Sequence, residues 1–422
     1  MKLDTRQVAR RHVFFLSGFD PKGAAYYHAL YRAEALKQSS VNAMAMQVAA
    51  RQRDADGNST WPVTAVLPDG QRCETTFEFV RWDDIVRSHW PRNIWRQLLD
   101  VLVACTVMLR GHIIVPVWKT SRRTLGALAF PVVFLGGGLV ISAGLGAWLG
   151  MLLHTGALTG GKGAGRAVAS SAGVLVLGLG LWCTRLLEAR LNPTWLVNIF
   201  SFTGKQLRGQ VPELEVRLNA AAQKLAHKIR ANDVDEILVV GFSVGSILAV
   251  SIVARALDAL NALSETAQRR PVGTTIATPP DVTVPSQPVL SLLTLGHCIP
   301  LLGLQPQAIA FRQELRALAL SKALQWIDFS SVTDWGSFAM VDPVKICNVL
   351  PETSAESGAA ANPLMRSPRF HTLFSPSAYL ELRRNKRRMH LQYLMAAELA
   401  GEYDYFAITA GPITLGARHA SR

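Results

Sequence analysis

The pentapeptide Gly241-Phe242-Ser243-Val244-Gly245 is a G-x-S-x-G, with an apolar run at Ile237–Val240 before it and an alanine-rich helical pattern after it. A serine hydroxyl is a weak nucleophile until a neighbouring base takes its proton. The strand-to-helix elbow that exposes such a serine bends the backbone sharply, so the residues two before and two after must be small. Gly241 and Gly245 meet that demand. The following helix would turn its amide-bearing, positive end toward a developing oxyanion. An inert serine in a tight glycine-flanked turn is the alternative.

The base should be a histidine oriented by a carboxylate, in the chain order Ser, Asp or Glu, His. His390 and His419 are set aside as tail residues, which leaves His297 and His371 downstream of the serine. His371, in SPRFHTLFSP, follows the last strand-like segment and is the expected base; His297 is expected to line the site. For the acid, WIDFSSVTDWGSF offers Asp328 inside a strand pattern and Asp334 just after it, with Asp342 beyond. Asp334 is favoured because a loop can aim its carboxylate. Near the N-terminus, FFLSGFDPKG follows a short apolar strand, and the amide of Gly18 or Phe19 is the expected second oxyanion donor beside that of Val244. Asp20-Pro21 can alternatively cap the next helix.

These residues need a scaffold, and its pattern is α/β. A strand at 13–16 precedes the helical stretch AAYYHALYRAEALKQ. Strand-like segments come next, with a Pro-Asp-Gly turn at 68–70. After the elbow, strand patterns in VLSLLTLGHCIPLLG and LQWIDFSSV bracket a helix, AIAFRQELRALAL. Residues 265–288 and 353–368 read as loose segments. AYLELRRNKRRMHLQYLMAAELAGEY reads as one helix with a basic run at Arg383–Arg388.

Between the two α/β stretches the composition shifts. Leu125–Leu153 is 29 residues without a formal charge, and Ala167–Thr184 is 18. About 20 apolar residues span a bilayer core, so transmembrane helices are expected near 125–153 and 167–187, joined by the glycine-rich HTGALTGGKGAG. Gly138, Ser142, Gly146 and Gly150, at steps of four, form a small-residue stripe suited to close helix contact. Residues 94–118 are apolar but broken by Asp100, Arg110 and His112, and fit an interfacial or a core helix equally. Lysines and arginines flank the pair more than they occupy its loop, which predicts cytoplasmic flanks.

Over the whole chain of 422 residues, 49% are hydrophobic and only 18% charged, and the net charge is +14. Mean hydropathy is +0.19 and the pI about 9.9. Apolar excess with basic charge favours an anionic membrane surface over nucleic acid, for which no aromatic-interleaved basic motif is present. Five scattered cysteines without a C-x-x-C predict reduced thiols and no zinc site, and no cofactor is expected. The N-terminus shows no secretory h-region.

The set G-F-S-V-G-S, T-L-G-H, W-I-D-F-S-S-V-T-D and F-H-T resembles the α/β-hydrolase superfamily, nearest its lipase and esterase branches and its bacterial membrane-associated members. The resemblance spans residues 12–90 and 205–400. It implies a mainly parallel sheet with helices on both faces, interrupted by the transmembrane hairpin: a core of 1–93 and 205–400, an insertion at 94–204 and a tail at 401–422. It implies Ser243, Asp334 and His371 as triad, with Val244, Phe19 and Gly18 around the oxyanion. The expected protein is an inner-membrane, multi-pass serine hydrolase with its hydrolase domain cytoplasmic, cleaving a lipid-like ester or thioester. A non-catalytic membrane protein using the fold as a scaffold is the alternative.

Overall fold

A computed structural model describes residues 7–55, 57–90, 100, 103, 106, 113–120, 122–154, 164–191, 194–268, 287–350 and 360–419. The expected hairpin tip, most of the 94–118 segment, most of the loose segment at 265–288 and the first part of that at 353–368 lie outside the described residues. The chain divides into two compact units: Met1–Trp90, Gly111–Thr124 and Lys205–Arg422 form one, and Pro91–Arg110 with Leu125–Gly204 the other.

The first unit is built on one sheet. Its strands are β1 (Arg10–Leu16), β2 (Ala45–Val48), β3 (Gln52–Arg53), β4 (Ser59–Val66), β5 (Arg72–Phe79), β6 (Glu236–Phe242), β7 (Val289–Leu295), β8 (Leu324–Phe329) and β9 (Leu364–Arg366). They lie in the order β2-β4-β5-β1-β6-β7-β8-β9, with β3 beside β4. β5, β1, β6, β7, β8 and β9 pair in parallel, while β4 pairs antiparallel with β2, β3 and β5 and so alone runs against the rest. The β4 sequence alternates inward and outward side chains as a strand with two unlike faces should. β6 and β7 are buried along their whole length, the mark of parallel strands covered on both faces.

Helix α1 (Ala24–Asn42) follows β1. α2 (Pro212–Ala231) precedes β6, α3 (Gly245–Gln268) follows it, and α4 (Ile309–Leu320) leads into β8. Tyr27 and Tyr31 of α1 pack with Phe15, Phe77, Leu238 and Val240 on one face. α3 covers the opposite face, where Gly241 meets Ala249 and Ser246. The chain therefore leaves β1 and β6 toward opposite faces, so the strand order reverses at their carboxyl ends. In open α/β sheets this reversal point is where ligands bind.

Two expectations about the C-terminal region are corrected. The segment read as one long helix breaks at Asn385 into α5 (Pro376–Arg384) and α6 (Lys386–Leu391). Asn385 leaves helical geometry, and its side chain accepts from the Arg388 amide to start the second helix. Of the expected tail at 401–422, residues 401–419 are described and pack into the core through Tyr403, Tyr405, Phe406, Ile408 and Leu415. The buried Arg11–Glu236 pair, at 2.7 Å, holds this segment. Arg11 donates to the carbonyls of Gly411 and Ile413, and Glu236 accepts from the Leu415 amide.

In the second unit, helices Arg122–His154 and Ala164–Leu191 occupy the two uncharged runs. A Cβ on Gly146 would stand 2.7 Å from the Gly173 carbonyl oxygen, and Gly180 and Gly138 lie against Ser142 and Thr184 respectively. The small-residue stripe is thus where the helix backbones approach. Ala129–Leu152, 24 residues and 12% buried, is long and apolar enough to cross a membrane. The apolar stretch Ser171–Thr184 of the other helix is shorter. Gly245–Leu263 passes the same test of length and composition, yet it lies in α3, 56% buried against the sheet.

Candidate functional site

β6 ends at Phe242 and α3 begins at Gly245, so Ser243 and Val244 make the turn. Ser243 has φ 55°, a left-handed conformation that costs a non-glycine residue about 1–2 kcal/mol. Its amide donates to the Leu295 carbonyl at 2.9 Å, and its carbonyl accepts from the Ser246 amide at 3.1 Å and hydroxyl at 2.6 Å. The flanking glycines are required on steric grounds. A Cβ at Gly241 would lie 2.7 Å from Ser246 Cα, and one at Gly245 would lie 2.6 Å from the Ser17 carbonyl oxygen and closer still to that of Leu16. Gly18 brings the loop after β1 onto the serine: a Cβ there would stand 3.1 Å from Ser243 Cβ. Phe19 is buried between Trp82 and Trp90, with ring centroids 6.2 and 5.7 Å away. Asp20 does not cap α1, whose N-cap is Gly23; its carboxylate accepts from the Lys22 amide instead.

Asp334 stands in the loop after β8 and is buried. Its carboxylate oxygens lie 3.0 and 2.9 Å from Nδ1 of His390, and Oδ1 also accepts from the Gly336 amide at 2.9 Å. Burial by itself would raise this carboxyl, but the His390 charge and hydrogen bond, together with the Gly336 amide, outweigh it and hold Asp334 below the usual carboxylate range. A carboxylate only accepts, so Nδ1 carries the proton of the pair, and Nε2 is the ring nitrogen left to face other groups.

His390 comes from the end of α6 and rests on Phe242, the residue before the serine, with ring centroids 5.0 Å apart. Gly336 leaves room for it, since a Cβ at 336 would meet His390 Nδ1 at 2.8 Å. Cys298 completes the neighbourhood: its sulfur is 3.7 Å from Ser243 Oγ and donates to the Gly336 carbonyl at 3.4 Å. Burial pushes this thiol up to about 12, so it stands beside the serine as a neutral group. The Cys298 amide donates to Ser246 Oγ at 3.1 Å, tying the elbow to the loop after β7.

The expected pairing of Asp334 with His371 is corrected. His371 is exposed in the turn Phe370–Thr372, its ring 6.2 Å from that of Tyr379, while Asp334 is engaged by His390. His297 is buried and contacts the Val341 carbonyl at 3.0 Å through Nε2, 4.0 Å from Asp328. Asp328 accepts from Thr294 and Ser330 within the sheet end, and burial raises its carboxyl. Asp342 caps the short helix Pro343–Ile346.

Sequence reasoning passed over the Asp334–His390 contact because His390 was set aside with the tail, behind the basic run at Arg383–Arg388. The signal there was the change from a charged run to buried Met389, His390 and Tyr393.

Ser243 is 1% exposed and His390 8%, so the site is closed over in this conformation. Among the described residues no cluster of three or more His, Cys, Asp or Glu side chains is placed to hold a metal ion. No family model matches the chain, and neither a curated protein nor a solved structure does.

Proposed function

We propose that this chain is a membrane-anchored serine hydrolase of the α/β-hydrolase type that cleaves an ester or thioester of a lipid-like acyl group. The observation that carries the reading is a strained Ser243 after β6 whose neighbour Phe242 carries the His390 ring, with His390 paired to Asp334 from the loop after β8. The chain order Ser243, Asp334, His390, with the serine on a glycine-flanked elbow, is the one the chemistry takes in such sheets.

In the proposed reaction Ser243 Oγ attacks the acyl carbonyl while His390 Nε2 takes its proton. Asp334 stabilises the imidazolium through Nδ1. The amides of Val244 and of Gly18 or Phe19 receive the oxyanion, helped by the positive end of the 24-residue helix α3. His390 returns the proton to the leaving alcohol or thiol, and water then releases the acid by the same route. Ala129–Leu152 is the proposed anchor.

Its test is covalent labelling by a fluorophosphonate, expected on wild type and lost in Ser243→Ala. The burial of Ser243 favours a second reading, a non-catalytic scaffold. Absence of labelling of folded protein in every lipid condition would support the scaffold instead. Comparing cellular lipids between wild type and Ser243→Ala identifies the acyl class.

A further inference from the structure

The two elements that hold the Asp334–His390 pair carry unusual surfaces on their outer sides. The loop that bears Asp334 exposes Val332 (54%), Trp335 (51%) and Met340 (42%) to solvent. α5 and α6, the second of which bears His390, expose Arg383, Arg384, Lys386, Arg387 and Arg388 within six residues. Glu381 is the one acidic residue in that helical pair. The apolar and basic parts are physically joined. Lys386 Nζ lies 4.2 Å over the Trp335 ring, and Arg383 lies 5.9 Å over that of Tyr379. Leu380, exposed on α5, shares a helix face with Arg383 and Arg384 through the i+3 and i+4 spacings.

We propose that the 331–341 loop and the α5–α6 pair form a docking face for an anionic lipid surface, with Trp335 and Lys386 at its centre. Clustered cations alone would suit any polyanion. The exposed valine, methionine and leucine beside them gain nothing from a nucleic-acid backbone, but they gain from an acyl-chain boundary. Tryptophan belongs at the headgroup level, where its ring is half in the apolar phase. Neither signal alone holds a protein firmly on a bilayer, whereas apolar insertion with a basic cluster does.

The face deepens the hydrolase reading, and on that reading alone it implies that the acyl substrate comes from the bilayer on which the face rests. Both acid and base sit directly behind the contact: Asp334 adjoins Trp335 in sequence, and His390 lies one helical turn beyond Lys386.

The test uses full-length Ser243→Ala protein, so that no turnover enters the result. It is reconstituted in vesicles of phosphatidylcholine alone and with about a third phosphatidylglycerol, the fraction chosen to give a strongly negative surface. Amide hydrogen exchange is followed at 331–341 and 376–391. Exchange there should slow several-fold with phosphatidylglycerol, recover in high salt, and fail to slow in Arg383→Glu/Arg387→Glu. Unchanged protection of β6 in that variant shows that it is folded. Equal exchange in both vesicles overturns the proposal. Slowing by inorganic phosphate without anionic lipid also overturns it, by making the face a phosphate site. Either failure leaves fluorophosphonate labelling of wild-type Ser243 unaffected, so the two readings fall separately.

Discussion

Replacing His390 by glutamine tests the assignment of the base most directly. General-base assistance is worth about 10²–10⁴-fold in rate, or about 2.7–5.5 kcal/mol of barrier. The His390→Gln protein should lose fluorophosphonate labelling by that factor, while His371→Gln, altering an exposed ring away from Asp334, should label within about twofold of wild type. Stability must be separated from catalysis, because Asp334 is buried and its carboxylate is hydrogen-bonded to His390. Removing one partner of a buried pair costs about 3–5 kcal/mol if the remaining charge persists. The double variant Asp334→Asn/His390→Gln removes that charge and should regain much of the lost stability in urea unfolding, yet label no faster than His390→Gln. A folded His390→Gln that labels at the wild-type rate, or a His371→Gln that does not label, would refute the proposed triad.

Gly18→Ala should slow labelling at least tenfold with a modest loss of stability, because its methyl would press on Ser243 at 3.1 Å from Cβ; comparing labelling rates with urea midpoints checks this. Arg11→Met should destabilise the first unit by about 3–5 kcal/mol by stranding buried Glu236, and Arg11→Met/Glu236→Gln should recover part of it, measured by urea unfolding. His419 is held down to about 4, first by burial and then by Arg418 and Arg366. A depressed pKa gives stability that is present above the unfolded value of about 6.5 and lost as pH falls toward about 4. The loss amounts to about 2 kcal/mol at pH 5 as an upper bound. His419→Phe should therefore flatten the drop between pH 7 and pH 5 in thermal unfolding.

The elbow was legible because its requirements are local. Gly241 and Gly245 stand where any side chain would strike backbone or a neighbouring helix, and the buried strand before them is a continuous apolar run. The alternation of β4 and the Pro-Asp-Gly turn were legible for the same reason. The position of Asp334 in a loop after β8 followed from the strand pattern before it. That of His390 did not, because its partner is 56 residues away and its own surroundings are cationic. Nor could the final residues be seen as core, since the helices that carry Phe406 and Leu415, and Tyr403 before them, pack on α1, β5 and β8 from elsewhere in the chain. Apolarity alone also cannot sort α3 from Ala129–Leu152: what separates them is the sheet that one of them covers.

The Arg11–Glu236 clamp has a consequence for how the protein is made. β1 finds its parallel neighbour β6 only after more than two hundred further residues have been synthesised, and Arg11 meets its last acceptors at 411 and 413. Such distant pairings are slow to close. The apolar stretch at 129–152 leaves the ribosome well before β6 does, so it is made while β1 still lacks its central parallel neighbour. Late locking of the sheet by the C-terminal segment is built into the order of the chain.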